Sequence, residues 1–276
     1  MSIDEKYISD AEIILSHRYD NGSDYWSTDD RKLLKGAPYT TLESILYLLE
    51  LGMPSDNKVM RDTANLIFSN WRQDGKIKVS SGGIYPCHTA LAINVLCHMG
   101  YSDDDRIKKS FKYFLDTQQA DGGWKCNKYS FGRGEETVYS TPYTTLVVLD
   151  LFRFSPYFNN NPQLDRAVNF LLEHWIIRRP ISPCHYGIGK LFMQIQYPFR
   201  GYSLFYYVYV LSFYNIAKND ERFLEALEML GQKTVNGKIY VERAVPKLAG
   251  LNFCKKGEIS ELATKRYEEI LNNIKR

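Results

Sequence analysis

At 276 residues, with 44% hydrophobic and 24% charged residues, the chain can bury a sizeable core and still solvate its surface. Thirty-five basic against 32 acidic residues leave a net charge of +3. No basic run accompanies it, so the phosphate-backbone attraction that drives nucleic-acid binding has nothing to act through. The first residues carry no apolar stretch behind a basic one, and the most apolar run, Leu204 to Tyr214, is too short to span a bilayer. A cytoplasmic protein without a transmembrane segment is expected.

Five cysteines, an odd number without close pairing, argue against a disulfide framework and leave thiols or metal ligands as the options. The 21 tyrosines and 14 phenylalanines exceed what a helical core needs, because aromatic residues are only middling helix formers. Their abundance points to a use for the rings.

Taken in chain order, the predicted elements form a repeat. Pro38-Tyr39-Thr40-Thr41-Leu42 leads into an apolar helix over 40–51, and Pro86-Cys87-His88-Thr89 into a second over 88–99. Pro142-Tyr143-Thr144-Thr145 opens a third over 143–154, and Pro198-Phe199 precedes a fourth over 203–214. By subtraction the four prolines fall 48, 56 and 56 residues apart, a period suited to one helical hairpin with an elaborated loop. These helices are apolar nearly all round and should be buried on most sides. Thr or Ser can cap their starts, and Gly52 and Gly100 stand where a helix ends. Between them lie amphipathic helices. Asp104 to Gln118 puts Ile107, Phe111, Phe114 and Leu115 on one stripe with Lys108, Lys109 and Lys112 outside it, and Asp165 to Trp175 repeats the pattern. No stretch of useful length supports a sheet.

The run Gln118-Gln119-Ala120-Asp121-Gly122-Gly123-Trp124, at the end of an amphipathic helix, resembles the QW repeat of squalene-hopene cyclases and the related repeat of protein prenyltransferase β subunits. Weaker copies stand at Asn21 to Trp26, Trp71 to Gly75 and Asn236-Gly237. The resemblance implies an all-α fold: an α/α toroid of about five tandem helical hairpins, inner and outer helices alternating, in a single domain over residues 1–276. Cyclases of that family protonate substrate with an Asp-x-Asp-Asp motif. The nearest run here, Asp103-Asp104-Asp105, lacks the leading Asp and opens an outer helix, where acidic residues suit the helix dipole.

On this repeat map Cys87, Cys126, Cys184 and His185 fall in loops or helix starts facing one rim. Trp124-Lys125-Cys126 and Cys184-His185-Tyr186-Gly187 resemble the zinc-binding motifs of lanthionine cyclases, each with one extra residue. Zinc held by Cys126, Cys184 and His185, with Cys87 as a fourth or displaceable ligand, is the corresponding expectation. The bland alternative makes each cysteine a small buried hydrophobe.

The candidate catalytic residues are Glu136 as general acid or base, Tyr143 and His185. Arg133, Tyr139, Tyr197, Arg200, Tyr202 and Tyr206 are candidate substrate contacts, Arg133 for a phosphate or carboxylate and the tyrosines for an isoprenoid chain or a developing cation. Two readings follow. One is a zinc-dependent transferase or cyclase acting on an isoprenoid, thiol or peptide substrate in an aromatic cavity. The other is a non-catalytic lipid- or peptide-binding toroid or interaction module. About five hairpins also leave room for a partner or a second copy to complete the ring.

Overall fold

Thr40 shows how the local sequence starts a helix. Its hydroxyl oxygen accepts the Glu43 backbone N–H at 3.1 Å while its own proton goes to the Glu43 carboxylate at 2.9 Å, so helix α2 (Thr41–Glu50) begins with its first orphan donors partly satisfied. The same helix ends in paired return bonds, Gly52 N–H to the Leu49 carbonyl and Met53 N–H to that of Leu48. The computed structural model describes residues 3–127 and 138–275. Among them are eleven α-helices: α1 (Ile8–Ser16), α2, α3 (Lys58–Ser69), α4 (Pro86–His98), α5 (Asp105–Asp116), α6 (Pro142–Phe152), α7 (Pro162–Ile177), α8 (Leu204–Leu211), α9 (Asn215–Lys218), α10 (Glu221–Gly231) and α11 (Glu261–Ile274).

The chain divides into two compact units. One runs through Asp116 and includes Gly250–Asn252; the other comprises Thr117–Ala249 and the chain from Phe253. In the first, α2 packs against α1, α3 and α4. In the second, α6 packs on α7 and α8, and α10 on α7 and α8, with α11 against α8.

Helices α4, α6 and α8 are buried almost all round, as their uniform apolarity predicts; every residue of α8 is inside. The others keep a wet face. Helix α5 buries Ile107, Phe111 and Phe114 completely and leaves Lys109 and Lys112 outside. Burial of this kind contributes about 1.5–3 kcal/mol for each large apolar side chain. Helix α8 stops earlier than its apolar run implies. Ser212 gives its hydroxyl proton to the Tyr209 carbonyl at 2.7 Å, which offers the backbone an alternative to another helical turn.

The loop ending at Trp124 shows why its residue types recur. Gln118 Nε2 donates to the Gly122 carbonyl at 2.6 Å and to that of Gln163 at 2.7 Å, while its Oε1 accepts from Arg166 at 3.0 Å. Asp121 accepts the backbone N–H groups of Gly123 and Ser140 and the Ser140 hydroxyl. Gly122 has φ +92°, and a Cβ there would lie 2.5 Å from the Arg166 carbonyl oxygen, so glycine is needed both for the turn and for the close approach. The Trp124 ring is fully buried beyond that turn.

One bond repeats along the chain. The backbone N–H of Trp124 donates to the Thr145 hydroxyl at 3.1 Å, that of Ile77 to Thr89 at 3.3 Å, and that of Ile239 to Thr264 at 3.0 Å. Each donor stands two residues after a glycine of positive φ (Gly122, Gly75, Gly237), and each threonine is the fourth residue of its helix, in α6, α4 and α11. Each loop is thereby pinned to the start of the helix that follows it. The Asn236-Gly237 copy carries an addition that the helical reading omits. Thr234–Val235 (β1) and Lys238–Ile239 (β2) form a two-stranded antiparallel hairpin whose two turn residues both have positive φ, the conformation Asn-Gly favours. No helix of the described residues is long and apolar enough to cross a membrane.

Candidate functional site

The second unit concentrates the rings. Tyr143, the second residue of α6, sits 5.0 Å centroid to centroid from Tyr186, in the loop after α7. Tyr186 meets Tyr202 edge-on at 6.1 Å, and Tyr202 packs on Phe192 at 4.8 Å and Tyr207 at 6.3 Å. Tyr143, Tyr186 and Tyr202 are each half-buried, so this run of rings reaches the surface, whereas Tyr207 is fully buried and donates to the Leu171 carbonyl at 3.1 Å. Phe199 lies 5.2 Å from Tyr206 and 4.9 Å from Tyr209 in tilted stacks.

Two polar groups are set into this aromatic surround. The first is His174, on the apolar stripe of α7 and wholly inside. Its Nδ1 is 2.9 Å from the Tyr202 hydroxyl and its Nε2 is 3.1 Å from the Arg179 carbonyl. Burial lowers its pKa to about 4, against the opposing pull of the Arg179 carbonyl, so the imidazole is neutral at neutral pH. Burial likewise holds the Tyr202 phenol well above its usual range.

The second is Asp150, near the C-terminal end of α6. One carboxylate oxygen accepts Arg153 Nε at 2.6 Å and the other accepts the Tyr206 hydroxyl at 2.7 Å. Both members of the ion pair are buried. Arg153 also lies over the rings of Phe154, Phe213 and Tyr209 at 4.1, 4.7 and 5.3 Å. Burial, then the charge of Asp150 and the nearby Tyr143 phenol, keep the Tyr206 proton in place. The guanidinium and the phenol both hydrogen-bond to this carboxyl group, each on its own oxygen.

Of the residues singled out from sequence, Tyr143, Tyr202 and Tyr206 therefore belong to one aromatic neighbourhood. Tyr197 is buried, with its ring among Phe199, Phe205 and Phe253. Tyr139 and Arg200 are half-buried in the segments before α6 and α8. Arg133 and Glu136 lie outside the described residues.

The metal expectation gains no support. Among the described residues no three or more His, Cys, Asp or Glu side chains, Cys87, Cys126, Cys184 and His185 included, are grouped to hold a metal ion. Cys87 is buried on α4, and Cys126 is buried with its backbone N–H on the Thr141 hydroxyl. Cys184 is half-buried, and His185 is exposed, with its backbone N–H on the Ser182 carbonyl and φ +54°. None of the five cysteines forms a disulfide. The acidic run also behaves as a helix start: Asp104 accepts the Arg106 backbone N–H and pairs with its guanidinium, while Asp103 and Asp105 are exposed.

Sequence reasoning missed His174 and Asp150. Each stands on an apolar stripe of a buried helix face, and a polar residue at such a register position is the signal that was available.

No protein-family model matches the chain, and no curated protein matches its sequence. Solved structures do match by shape. The type II terpene cyclase MstE from Scytonema, without ligand, superposes with a TM-score of 0.51 at 14% identity, covering 96% of this chain and 80% of that one. A tyrosine-to-phenylalanine variant of MstE gives the same score and identity over 97% and 81%. An aspartate-to-asparagine variant, in complex with its substrate geranylgeranyl dihydroxybenzoate, does so over 97% and 82%. The likeness defines the fold: an α/α toroid of tandem helical hairpins, like that of these terpene cyclases.

Proposed function

We propose that this chain is a terpene-cyclase-like enzyme that takes an isoprenoid-bearing small molecule against the Tyr143–Tyr186–Tyr202 wall. The observation that carries the reading is the continuity of these half-exposed rings, beside the inner-helix phenol of Tyr206, in a fold shared with terpene cyclases. Stacked ring faces supply apolar area for a polyprenyl chain, and their negative faces attract positive charge as it develops on carbon. Asp150 is not assigned the part of proton donor. Its two oxygens are taken by Arg153 and Tyr206, so it positions Tyr206.

The test is incubation of the purified protein with geranylgeranyl dihydroxybenzoate and shorter prenylated phenols, following binding by calorimetry and products by mass spectrometry. Cyclisation would give a product of unchanged mass and altered chromatographic retention, and Tyr143→Ala and Tyr186→Ala would weaken binding. Binding without any product would favour the non-catalytic lipid-binding toroid. No binding of any prenylated compound would remove the reading.

A further inference from the structure

We infer that Tyr202, oriented by His174, is the residue through which the site selects a substrate carrying a hydrogen-bond donor, namely a free hydroxyl on its head group. The inference rests on the proposed isoprenoid site and adds to it the chemistry of the ligand's polar end.

A backbone carbonyl can only accept, so the contact between His174 Nε2 and the Arg179 carbonyl at 3.1 Å puts a proton on Nε2. The buried imidazole is neutral and has a single N–H, so its Nδ1 is a lone pair. Tyr202, 2.9 Å from that lone pair, must therefore be the donor. A phenol has one proton. With it directed inward at His174, the Tyr202 oxygen can present only acceptor capacity to anything else that approaches.

Among the described residues the hydroxyl of Tyr202 has one hydrogen-bond partner, His174. Tyr186, Phe192 and Tyr207 surround Tyr202 with ring faces and edges. The two inner-helix phenols are committed as donors, Tyr207 to the Leu171 carbonyl and Tyr206 to Asp150. Of Tyr202, Tyr206 and Tyr207, only Tyr202 keeps part of its surface open to solvent. A ligand hydroxyl reaching it would donate a bond in a low-dielectric setting. An ether oxygen in the same place would leave two acceptors facing each other. A site built around a hydrogen bond rejects the analogue that cannot make it. His174 is thus a positioning residue, acting through the orientation it imposes on Tyr202.

Calorimetry with two probes decides the matter: geranylgeranyl dihydroxybenzoate and the same compound with both ring hydroxyls methylated. The free phenol should bind the wild-type protein about tenfold more tightly, the scale of one hydrogen bond in a desolvated site. Tyr202→Phe, which keeps the ring contacts, should bind both probes alike by losing affinity for the free phenol alone. Nitrogen-15 spectra of wild-type His174 supply a readout independent of that variant's folding. They should report the Nε2–H form, with signals that shift on adding the free phenol and not the methylated compound. Equal wild-type affinity for the two probes, a preference retained in Tyr202→Phe, or unshifted His174 signals would each overturn the inference and leave the isoprenoid reading standing. If neither probe binds, the isoprenoid reading falls and this inference with it.

Discussion

Tyr206 donates its hydroxyl to Asp150 at 2.7 Å, which ties the fourth predicted inner helix to the third through a buried carboxylate that also carries Arg153. Breaking one side of such an arrangement is far more damaging than replacing all of it. Asp150→Ala should destabilise the protein by about 3–5 kcal/mol, because it strands a buried guanidinium. Tyr206→Phe should cost about 1.5–3 kcal/mol, the range for a hydrogen bond to a charged group. The double variant Asp150→Leu with Arg153→Met should be milder than Asp150→Ala. Urea unfolding of the three proteins checks the order, and a mild Asp150→Ala would contradict it.

The glycine of the QW-like loop gives a second prediction. Gly122→Ala meets both a positive φ and the Arg166 carbonyl at 2.5 Å, whereas Gly100→Ala meets only the positive φ, with open space around the new methyl. Gly100→Ala should cost about 1–2 kcal/mol, the left-handed penalty alone. Gly122→Ala should cost clearly more, because backbone must shift. Thermal melts of the two variants side by side test the difference.

These particulars show what the sequence made legible. The proline-led repeat placed α2, α4 and α6 within a few residues, because all-round apolarity and capping residues are local signals. The loop at Trp124 was readable because Gln118, Asp121 and Gly122 each serve a local backbone need. Tyr143, Tyr202 and Tyr206 were found as members of an excess of rings. The step from matching loop positions to shared coordination gained no support among the described residues. Equivalent places in successive repeats fix neither side-chain direction nor burial, and Cys126 is buried where His185 is exposed. His174 and Asp150 escaped because their partners, Tyr202 and Tyr206, lie 28 and 56 residues away in sequence.

Elemental analysis follows directly from the cysteine placement. With no three ligating side chains grouped among the described residues, the purified protein should not carry zinc at one ion per chain. Cys126→Ser and Cys184→Ser should leave any binding of prenylated phenols unchanged within about twofold, a difference below 0.5 kcal/mol. One zinc per chain, lost in either variant, would restore the ligand set read from sequence.

The last prediction concerns acid. Folding lowers the His174 pKa from 6.5 to about 4 through burial. Between those values the unfolded chain binds a proton that the folded one does not, so stability must fall as the pH is lowered through this window and be indifferent to His174 above it. At pH 5 the loss attributable to this residue is about 2 kcal/mol, and it saturates at about 3.4 kcal/mol below the folded pKa, at 1.36 kcal/mol per unit. Carboxylates paired in the folded state, such as Asp104 with Arg106 and Asp220 with Arg222, act in the same direction, but lower, as pH falls through the carboxylate range. The two contributions therefore separate. His174→Gln, which keeps a donor and an acceptor on the same stripe, should flatten the stability profile between pH 6.5 and 5 while leaving the steeper fall at lower pH intact. Urea titrations of both proteins across that range measure it, and an unchanged slope in the variant would show that His174 is not the buried neutral partner of Tyr202.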